Sequence, residues 1–328
     1  MKLPGIMNVV EISTPGGPDV LKPAERALPT PAPGEVLIKV AAAGVNGPDI
    51  MLRKGLYPAP AGASDLPGLE VSGEIVAIGE GEKRWTYGDK VTALTNGGGY
   101  AEYCVADALQ CLPIPKSVSL QNAAGLPETF FTVWSNVFIG AQLTAGETFL
   151  VHGGAGGIGT TSIQLGKAFG AKVIATDSPE SRCQIGRELG ADRVIDYKQE
   201  DFVEVVRKEG GANVILDIVG GPNIEKNFKA ASPDARIIQL AFALGSKMEV
   251  NLMPVMLKRL TYTGSTLRTR PAAFKARVAR ELEAQVWPHI EAGRIRVVLS
   301  RVFPLAQASQ AHAMMESAGH IGKILLVP

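Results

Sequence analysis

The chain has 328 residues, of which 46% are hydrophobic and 20% charged, and its formal net charge is +1. That length is long for one hydrophobic core, so it predicts two domains, and the composition excludes a disordered chain. A near-zero net charge without a block of like charges excludes nucleic acid and an anionic membrane surface as expected partners.

The N-terminal segment, the apolar runs and the cysteines indicate the cellular location to expect. The N-terminal MKLPGIMNVVEIS lacks the apolar core and cleavage site of a signal peptide, and no uninterrupted apolar run reaches about 18 residues, so a cytoplasmic protein without membrane partners is predicted. The three cysteines, Cys104, Cys111 and Cys183, show no CxxC spacing. They predict neither a disulfide framework nor a structural zinc site, and we expect buried thiols.

Residues 1–125 contain short alternating segments separated by proline and glycine. The candidate strands are EVLIKVAAAGVN, LEVSGEIVAIGEG, GDKVTALT and YAEYCVAD. Strands at this spacing predict a compact, mostly antiparallel, barrel-like unit.

From residue 126 apolar strands alternate with helical segments. The strands are TFLVHG, AKVIATD, DRVIDY, NVILDIV, ARIIQLAF and LTYTGS, and the helices span 158–169, 180–189, 201–208, 224–231 and 253–260. This alternation predicts an α/β domain with a doubly wound parallel sheet. A long helical stretch over 271–292 precedes the strand-like RVVLSRVF and GKILLVP. We therefore predict one domain over 126–296 and another over 1–125 that residues 297–328 rejoin.

The segment VHGGAGGIGTT follows the first of these strands and opens a helix. It permits two registers, GxGxxG from Gly154 or GxxGxxG from Gly153, and both end on Gly156 and Gly159. Between a strand and a helix, such glycines let the backbone approach a pyrophosphate at the helix N-terminus. The predicted contacts are Gly154, Gly156, Gly157, Ile158 and Gly159. The alternative is a tight turn that binds nothing.

Three residues bear on which dinucleotide binds. Asp177 stands 18 residues after Gly159, where a carboxylate accepts the ribose hydroxyls of NAD(H) and repels the 2′-phosphate of NADP(H). Arg182 and Tyr197 are placed to hold that phosphate by ion pair and hydrogen bond, although a solvated helix residue and a packed aromatic are equal alternatives. These residues leave NADH and NADPH open. His152, just before the glycines, is predicted to be structural, and His289, His312 and His320 are assigned no chemistry.

Several separated motifs resemble one superfamily. They are PGLEVSGEIVAIGEG, GDKV, AAGLPETFFTVW, HGGAGGIGTTSIQLGKAFGAKVI, GAD and HIGKILL. From about residue 8 to its end the chain resembles the medium-chain dehydrogenases/reductases, and within them the zinc-free, zeta-crystallin-like NADPH:quinone oxidoreductases. The resemblance implies a GroES-like catalytic domain, a Rossmann domain, NADPH as cofactor, and a homodimer formed through sheet edges near ARIIQLAF and LTYTGS.

The zinc ligands of the related alcohol dehydrogenases are replaced here. Those enzymes carry a cysteine in the first-domain loop and a histidine before a glutamate, whereas GVNGPD and GLE place Asn46 near the first position and Leu69 at the second. Asparagine and leucine cannot complete an open tetrahedral zinc site, so no zinc is predicted. Without a Lewis acid, the acceptor must accept hydride with little help, as a quinone or activated alkene does.

The resemblance also implies the remaining site residues. Asn46 and Asp49 would contact cofactor or acceptor, with turn chemistry as the alternative, and Tyr57 would contact the acceptor, with a packed surface tyrosine as the alternative. Thr132 would lie at the nicotinamide end, and the backbone at Ala241, Ala243, Leu267 and Arg268 would recognise the carboxamide.

The predicted function is hydride transfer from NAD(P)H to a quinone without metal. The second hypothesis is reduction of an enal or enoyl-thioester double bond, which the same fold serves. The third is a non-catalytic cofactor-binding or RNA-binding protein, against which the neutral charge argues.

Overall fold

The computed structural model describes residues 3–328. These residues form two compact units: unit 1 comprises the residues up to Phe131 together with Arg268–Pro328, and unit 2 comprises Thr132–Leu267.

The described residues contain fifteen strands and ten α-helices. The strands are β1 (Ile6–Ile12), β2 (Leu21–Ala27), β3 (Glu35–Val45), β4 (Glu70–Ile78), β5 (Lys90–Leu94), β6 (Tyr103–Asp107), β7 (Cys111–Pro113), β8 (Thr148–His152), β9 (Lys172–Asp177), β10 (Arg193–Asp196), β11 (Ala212–Asp217), β12 (Ala231–Gln239), β13 (Thr261–Gly264), β14 (Leu299–Pro304) and β15 (Lys323–Val327). The helices are α1 (Gly47–Arg53), α2 (Pro127–Val133), α3 (Gly157–Ala168), α4 (Glu180–Glu188), α5 (Phe202–Lys208), α6 (Asn223–Ala230), α7 (Met253–Leu257), α8 (Ala272–Glu281), α9 (Trp287–Glu291) and α10 (Ala308–Glu316). Short 3-10 turns span Pro18–Val20, Ala108–Gln110, Asn122–Gly125 and Leu305–Gln307, and π-helical segments Trp134–Gly140 and Leu282–Val286 follow α2 and α8.

Unit 2 is a six-stranded parallel sheet with helices in its crossover connections. Its strand order is β10-β9-β8-β11-β12-β13, and every neighbouring pair is parallel. This is the order of a dinucleotide-binding sheet made of two halves that begin at adjacent central strands. The central strands are apolar on both faces, with Phe149, Leu150 and Val151 of β8 fully buried, as parallel strands covered by helices require. The predicted α/β fold and all six predicted strands are confirmed.

Unit 1 is built on a seven-stranded, mainly antiparallel sheet. Its order is β14-β15-β3-β4-β5-β7, with β6 also pairing with β3, and a separate hairpin joins β1 to β2. The long β3 pairs with β4 along one edge, and on its other edge with β6 over Glu35–Lys39 and with β15 over Ala43–Val45. Its inward side chains, including Val36 and Ile38, pack with Ile75 and Ile324 in one core. This is the predicted barrel-type GroES-like domain.

The units divide differently from the predicted domains. β15 pairs with β3, so the C-terminal strand lies in unit 1, but this unit begins again at residue 268 rather than 297. Residues of the helical stretch are fixed there by hydrogen bonds: Trp287 Nε1 donates to Pro113 O at 2.8 Å, and Ser117 Oγ donates to Ile290 O at 3.0 Å. Helical periodicity in 271–292 specified a buried face without specifying which core covers it.

Candidate cofactor and acceptor sites

The glycine loop between β8 and α3 is closed by backbone contacts. Gly153 adopts a left-handed conformation with φ of 75°, and the N–H groups of Gly153 and Gly154 both donate to Thr176 O, at 2.9 and 3.0 Å. A Cβ on Gly159 would lie 2.1 Å from Gly153 O and 2.6 Å from Gly154 Cα. Gly153 and Gly159 are therefore required by the fold of the loop itself.

Gly156 differs from its neighbours in the loop. It precedes α3 with an ordinary φ of −74°, and a Cβ there would meet only Gly153 O at 3.6 Å, an unstrained contact. The fold of unit 2 does not require glycine at this position. A dinucleotide approaching the helix N-terminus would require it, because a methyl group would separate the backbone from the pyrophosphate. The loop thus fits a dinucleotide cofactor.

The predicted cofactor contacts of unit 2 gather at one edge of its sheet. The glycine loop follows β8, Asp177 ends β9, Tyr197 follows β10, and Ala241 and Ala243 follow β12. Because these strands are parallel, their carboxyl ends share an edge, which is where open α/β sheets bind ligands. Tyr197 is 54% exposed there, and Ala241 and Ala243 are exposed.

The carboxylate of Asp177 already accepts hydrogen bonds from other groups of unit 2. Its Oδ2 accepts from Ala155 N at 2.7 Å, its Oδ1 accepts from Ser178 N at 2.8 Å, and Arg182 Nε donates to Oδ1 at 2.7 Å. Only 5% of its side chain is exposed. Asp177 therefore fixes the glycine loop and orients Arg182, and this arrangement speaks against its predicted role as the reader of an unphosphorylated ribose.

The remaining predicted contacts of unit 2 show mixed exposure. Thr132 is partly exposed at the end of α2, and its carbonyl accepts from Asn136 Nδ2 at 2.8 Å. Leu267 is buried. The N–H of Ala243, which was predicted to contact the carboxamide, donates to Ile218 O at 3.4 Å. This N–H therefore already has a partner within unit 2.

His152 has the structural role expected of it. The ring is fully buried, with Nδ1 at 2.8 Å from Thr176 Oγ1 and Nε2 at 2.8 Å from Asn227 Oδ1. Burial lowers its pKa, and Asp217 opposes that shift. The buried, hydrogen-bonded imidazole thus links the end of β8 to Thr176 and Asn227.

Unit 1 contains a buried polar cluster around Asn46, which lies in the segment that the resemblance compares with a zinc-ligand loop. Asn46 Nδ2 donates to Glu70 Oε1 at 2.8 Å, and the Lys323 ammonium lies 2.6 Å from the same oxygen and also donates to Asn46 Oδ1. Glu70 is fully buried. Glycine at position 44 leaves space for the Glu70 carboxylate, because a Cβ there would overlap it. The sequence analysis identified Asn46 but neither Glu70 nor Lys323 as site residues.

Asp49 has the turn role that the sequence left open. Its Oδ2 accepts from Asn46 N and its Oδ1 from Gly68 N, both at 2.9 Å, and the side chain is only 1% exposed. Burial raises its pKa to about 7, with those two N–H groups opposing the shift. Asp49 thus positions Asn46 at the start of α1 and has both carboxylate oxygens engaged by backbone N–H groups.

Tyr57 belongs to a second polar group in unit 1. It is half-buried, and the Arg268 guanidinium carbon lies 5.9 Å from its ring centroid. Burial raises the pKa of Tyr57, as does the nearby Glu128 carboxylate. Arg268 is 7% exposed and donates from Nη2 to Asn96 O at 2.7 Å. Glu128 was not predicted as a site residue, although it places a carboxylate inside the apolar run GLPETFF.

Among residues 3–328, no group of three or more histidine, cysteine, aspartate or glutamate side chains is arranged to hold a metal ion. No helix in the same range is long and apolar enough to cross a membrane. The three cysteines are free and buried, as expected.

Comparisons with known proteins agree with both units. Residues 32–116 match the alcohol dehydrogenase GroES-like domain, and residues 157–284 match the zinc-binding dehydrogenase domain. The quinone oxidoreductase of Lama guanicoe is 32% identical, with 98% of each chain covered.

Solved structures give the same picture. An Escherichia coli quinone oxidoreductase complexed with NADPH is similar with a TM-score of 0.88 and 28% identity, covering 98% of this chain and all of that one. The enoyl reductase CurK is similar with a TM-score of 0.86 and 25% identity, covering 99% of each chain.

Proposed function

We propose a function from the premise that this chain belongs to the quinone oxidoreductase branch of the medium-chain dehydrogenases/reductases. It is an oxidoreductase of that type, and we propose that it reduces a quinone with NADPH. The proposal rests on the glycine loop at the carboxyl edge of the unit 2 sheet. The fold of this loop does not require glycine at position 156, whereas a bound pyrophosphate would. When bound, the nicotinamide would supply a hydride.

The residues of unit 2 would hold the cofactor by its phosphates. The loop backbone and the first turn of α3 offer N–H groups to the pyrophosphate. Arg182, oriented by Asp177, and the exposed Tyr197 would bind the 2′-phosphate. Asp177 opposes NADPH less than the sequence suggested, since an arginine and two backbone N–H groups already neutralise its charge.

This assignment predicts that Arg182→Gln changes cofactor preference. We expect kcat/KM for NADPH to fall about tenfold while the value for NADH stays nearly constant, because a charge-assisted hydrogen bond to phosphate is lost. Steady-state kinetics with both cofactors measures this. Arg187→Gln is the matched control, since Arg187 lies on the same helix and pairs with the exposed Glu180. Equal losses with both cofactors would show that Arg182 does not read the phosphate.

The side chains around Asn46 in unit 1 do not fit a catalytic zinc ion such as related dehydrogenases hold. Asn46 and Leu69 replace two ligands, and the Lys323 ammonium lies against Asn46 and Glu70, where it would repel a cation. We therefore propose that the reaction runs without zinc. Elemental analysis of active protein should find far less than one zinc per chain, and chelator treatment should leave the rate unchanged; stoichiometric zinc would contradict the proposal.

The acceptor is proposed to be a quinone held by unit 1 near Tyr57. Charge that develops on a quinone oxygen is delocalised over the ring, so modest hydrogen bonding suffices to stabilise it. The second candidate is an activated double bond, supported by the likeness to an enoyl reductase. The pair formed by Tyr57 and Arg268 would serve either acceptor, because both acceptors develop negative charge on an oxygen conjugated to the reacting carbon.

A matrix of cofactors and acceptors tests the function. NADPH and NADH are each followed by absorbance with ortho- and para-quinones, 2-alkenals and a crotonyl thioester. We expect the highest kcat/KM with NADPH and a quinone. Turnover of the thioester alone would favour the second candidate, and a flat absorbance with every pair would refute both.

We further propose a homodimer formed through the edge of the unit 2 sheet. All four residues of β13 are exposed, and Met253, Met256 and Leu257 of the neighbouring α7 are more than half exposed. An uncovered sheet edge beside exposed apolar side chains invites pairing with a second copy. Light scattering should give twice the protomer mass of 34.6 kDa, and Leu257→Glu should lower it. A wild-type monomer at micromolar concentration would contradict this proposal.

A further inference from the structure

Unit 1 contains a cavity large enough for a small organic molecule. Its volume is about 780 Å³, and all the described residues that line it belong to unit 1. Ligand pockets of proteins have volumes of this order. Part of the wall is apolar, with Pro60, Leu66 and Leu94 among its residues, and part of it is charged. The charged part indicates which kind of molecule fits.

Three cationic side chains of the cavity wall are not neutralised by a carboxylate. They are Arg268, Arg270 and Lys275, which all come from the short segment 268–275. In the part of the chain that the structure describes, residues 3–328, none of the three forms an ion pair. Cations that are gathered in one cavity without anionic partners repel one another, so an anion in the cavity would stabilise them.

The other charged side chains of the wall do not offset this positive charge. Four cationic and two acidic side chains line the cavity, so its wall has an excess of positive charge. The fourth cation, Arg26, already pairs with Glu11, with 2.8 Å between Nη2 and Oε2. The two acidic side chains are Glu35 and Asp107, and each accepts a backbone N–H from a neighbouring residue of its own loop or turn.

Arg268 is shielded from solvent and held in one orientation. Its side chain is 7% exposed, and Nη2 donates to Asn96 O at 2.7 Å. Lys275 Nζ fixes the same region by donating to Asn96 Oδ1 at 2.8 Å and to Arg268 O at 3.1 Å. Among residues 3–328, Arg268 Nε and Nη1 have no hydrogen-bond partner. Shielded N–H donors without acceptors are costly to a fold, so a ligand that supplies acceptors accounts for them.

Arg268 also connects the cavity to the residue that we propose holds the acceptor. Its guanidinium carbon lies 5.9 Å from the centroid of the Tyr57 ring. Arg270 is exposed, and its guanidinium carbon lies 4.0 Å from the centroid of the Phe274 ring. The cavity therefore offers one fixed, shielded arginine next to Tyr57 and one exposed arginine.

We propose that the acceptor carries an acidic group, such as a carboxylate, which this cavity binds through Arg268. The inference rests on the proposed function and narrows the class of acceptor to acidic quinones. The quinone ring would lie near Tyr57 and its acidic group in the cavity, where Arg270 and Lys275 add positive charge. Hydrogen bonds between a guanidinium and a carboxylate are charge-assisted and stronger than those between neutral groups. Arg268 thus distinguishes an acidic acceptor from a neutral one.

The test compares two quinones that differ in charge. They are the propionic acid of 1,4-naphthoquinone and the matching propionamide, whose methylene groups insulate the quinone ring from the acid. We expect kcat/KM with NADPH to be about tenfold higher for the acid. Arg268→Gln should bring this ratio close to one, although the loss of a neighbour of Tyr57 slows both reactions. Arg277→Gln is the matched control, since Arg277 lies on α8 and pairs with Glu281, and it should keep the ratio.

A second measurement does not depend on turnover. Calorimetry should give wild type a dissociation constant for naphthalene propionate about tenfold below that for the propionamide. Arg270→Gln should reduce this difference about threefold, as expected for an exposed charge. Because this variant changes an exposed side chain, it tests the site even if Arg268→Gln does not fold.

The outcomes separate this inference from the proposed function. Equal kcat/KM for acid and amide in wild type, or a preference for the acid that survives Arg268→Gln, overturns the inference while leaving the proposed function intact. If neither quinone is reduced, the proposed function is refuted, and the calorimetric comparison still decides whether the cavity binds an acid.

Discussion

Replacing Gly159 by alanine is expected to abolish cofactor binding and to destabilise unit 2. The added Cβ would lie 2.1 Å from Gly153 O and 2.6 Å from Gly154 Cα, and both neighbours are backbone atoms that cannot rotate away. Either the loop or α3 must move, which costs about 3 kcal/mol of unfolding free energy or more. Urea denaturation and fluorescence titration with NADPH measure the two effects.

Gly156→Ala separates the requirement of the fold from the requirement of the ligand. Its Cβ meets only Gly153 O at 3.6 Å, so we expect the unfolding free energy to change by less than about 0.5 kcal/mol. The dissociation constant of NADPH should nevertheless rise about tenfold or more, because the methyl group occupies space needed by the pyrophosphate. Unchanged NADPH affinity in this variant would contradict the placement of the pyrophosphate.

Replacing Lys323 by methionine is expected to have the largest effect on the stability of unit 1. The fully buried Glu70 side chain would lose the ammonium that lies 2.6 Å from its carboxyl oxygen. Removing one partner of a buried ion pair costs about 3–5 kcal/mol. Urea denaturation should show this loss, together with reduced NADPH turnover as Asn46 and the Glu128 backbone lose their fixed partner.

Two further variants interpret the Lys323 result. The double variant Lys323→Met with Glu70→Gln should recover part of the stability, since neither remaining side chain is charged. Lys39→Met replaces an exposed lysine of β3 and should change stability little. If Lys323→Met were no more destabilising than Lys39→Met, the buried ion pair would not be an important part of this structure.

The parts of the site that the sequence predicted are those encoded by neighbouring residues. VHGGAGGIGTT contains a strand end, a turn and a helix start within eleven residues, so its geometry followed from local rules. The Asp177 position was also found by spacing, but its role was not. Its hydrogen bond from Ala155 N spans 22 positions, and only the folded loop shows that the carboxylate is already engaged.

The polar groups of unit 1 could not have been found by spacing. Lys323 and Asn46 are 277 positions apart, and they meet because β15 returns to pair with β3. Glu70 belongs to no predicted site motif either, since its partners Asn46 and Lys323 come from other parts of the chain. The sequence grouped 268–296 with 126–267, whereas these residues lie in unit 1, because amphipathic periodicity does not identify which core covers a helix.

By itself, then, the sequence determined the strands and helices of unit 2, their parallel order and the cofactor loop, because apolar periodicity and turn chemistry are local properties of the chain. The tertiary structure alone decided that the Lys323 ammonium lies against Asn46 and Glu70, and that the Asp177 carboxylate already accepts hydrogen bonds within unit 2. Those features depend on charge, burial and distance between residues far apart in the chain, and these quantities exist only once the chain has folded.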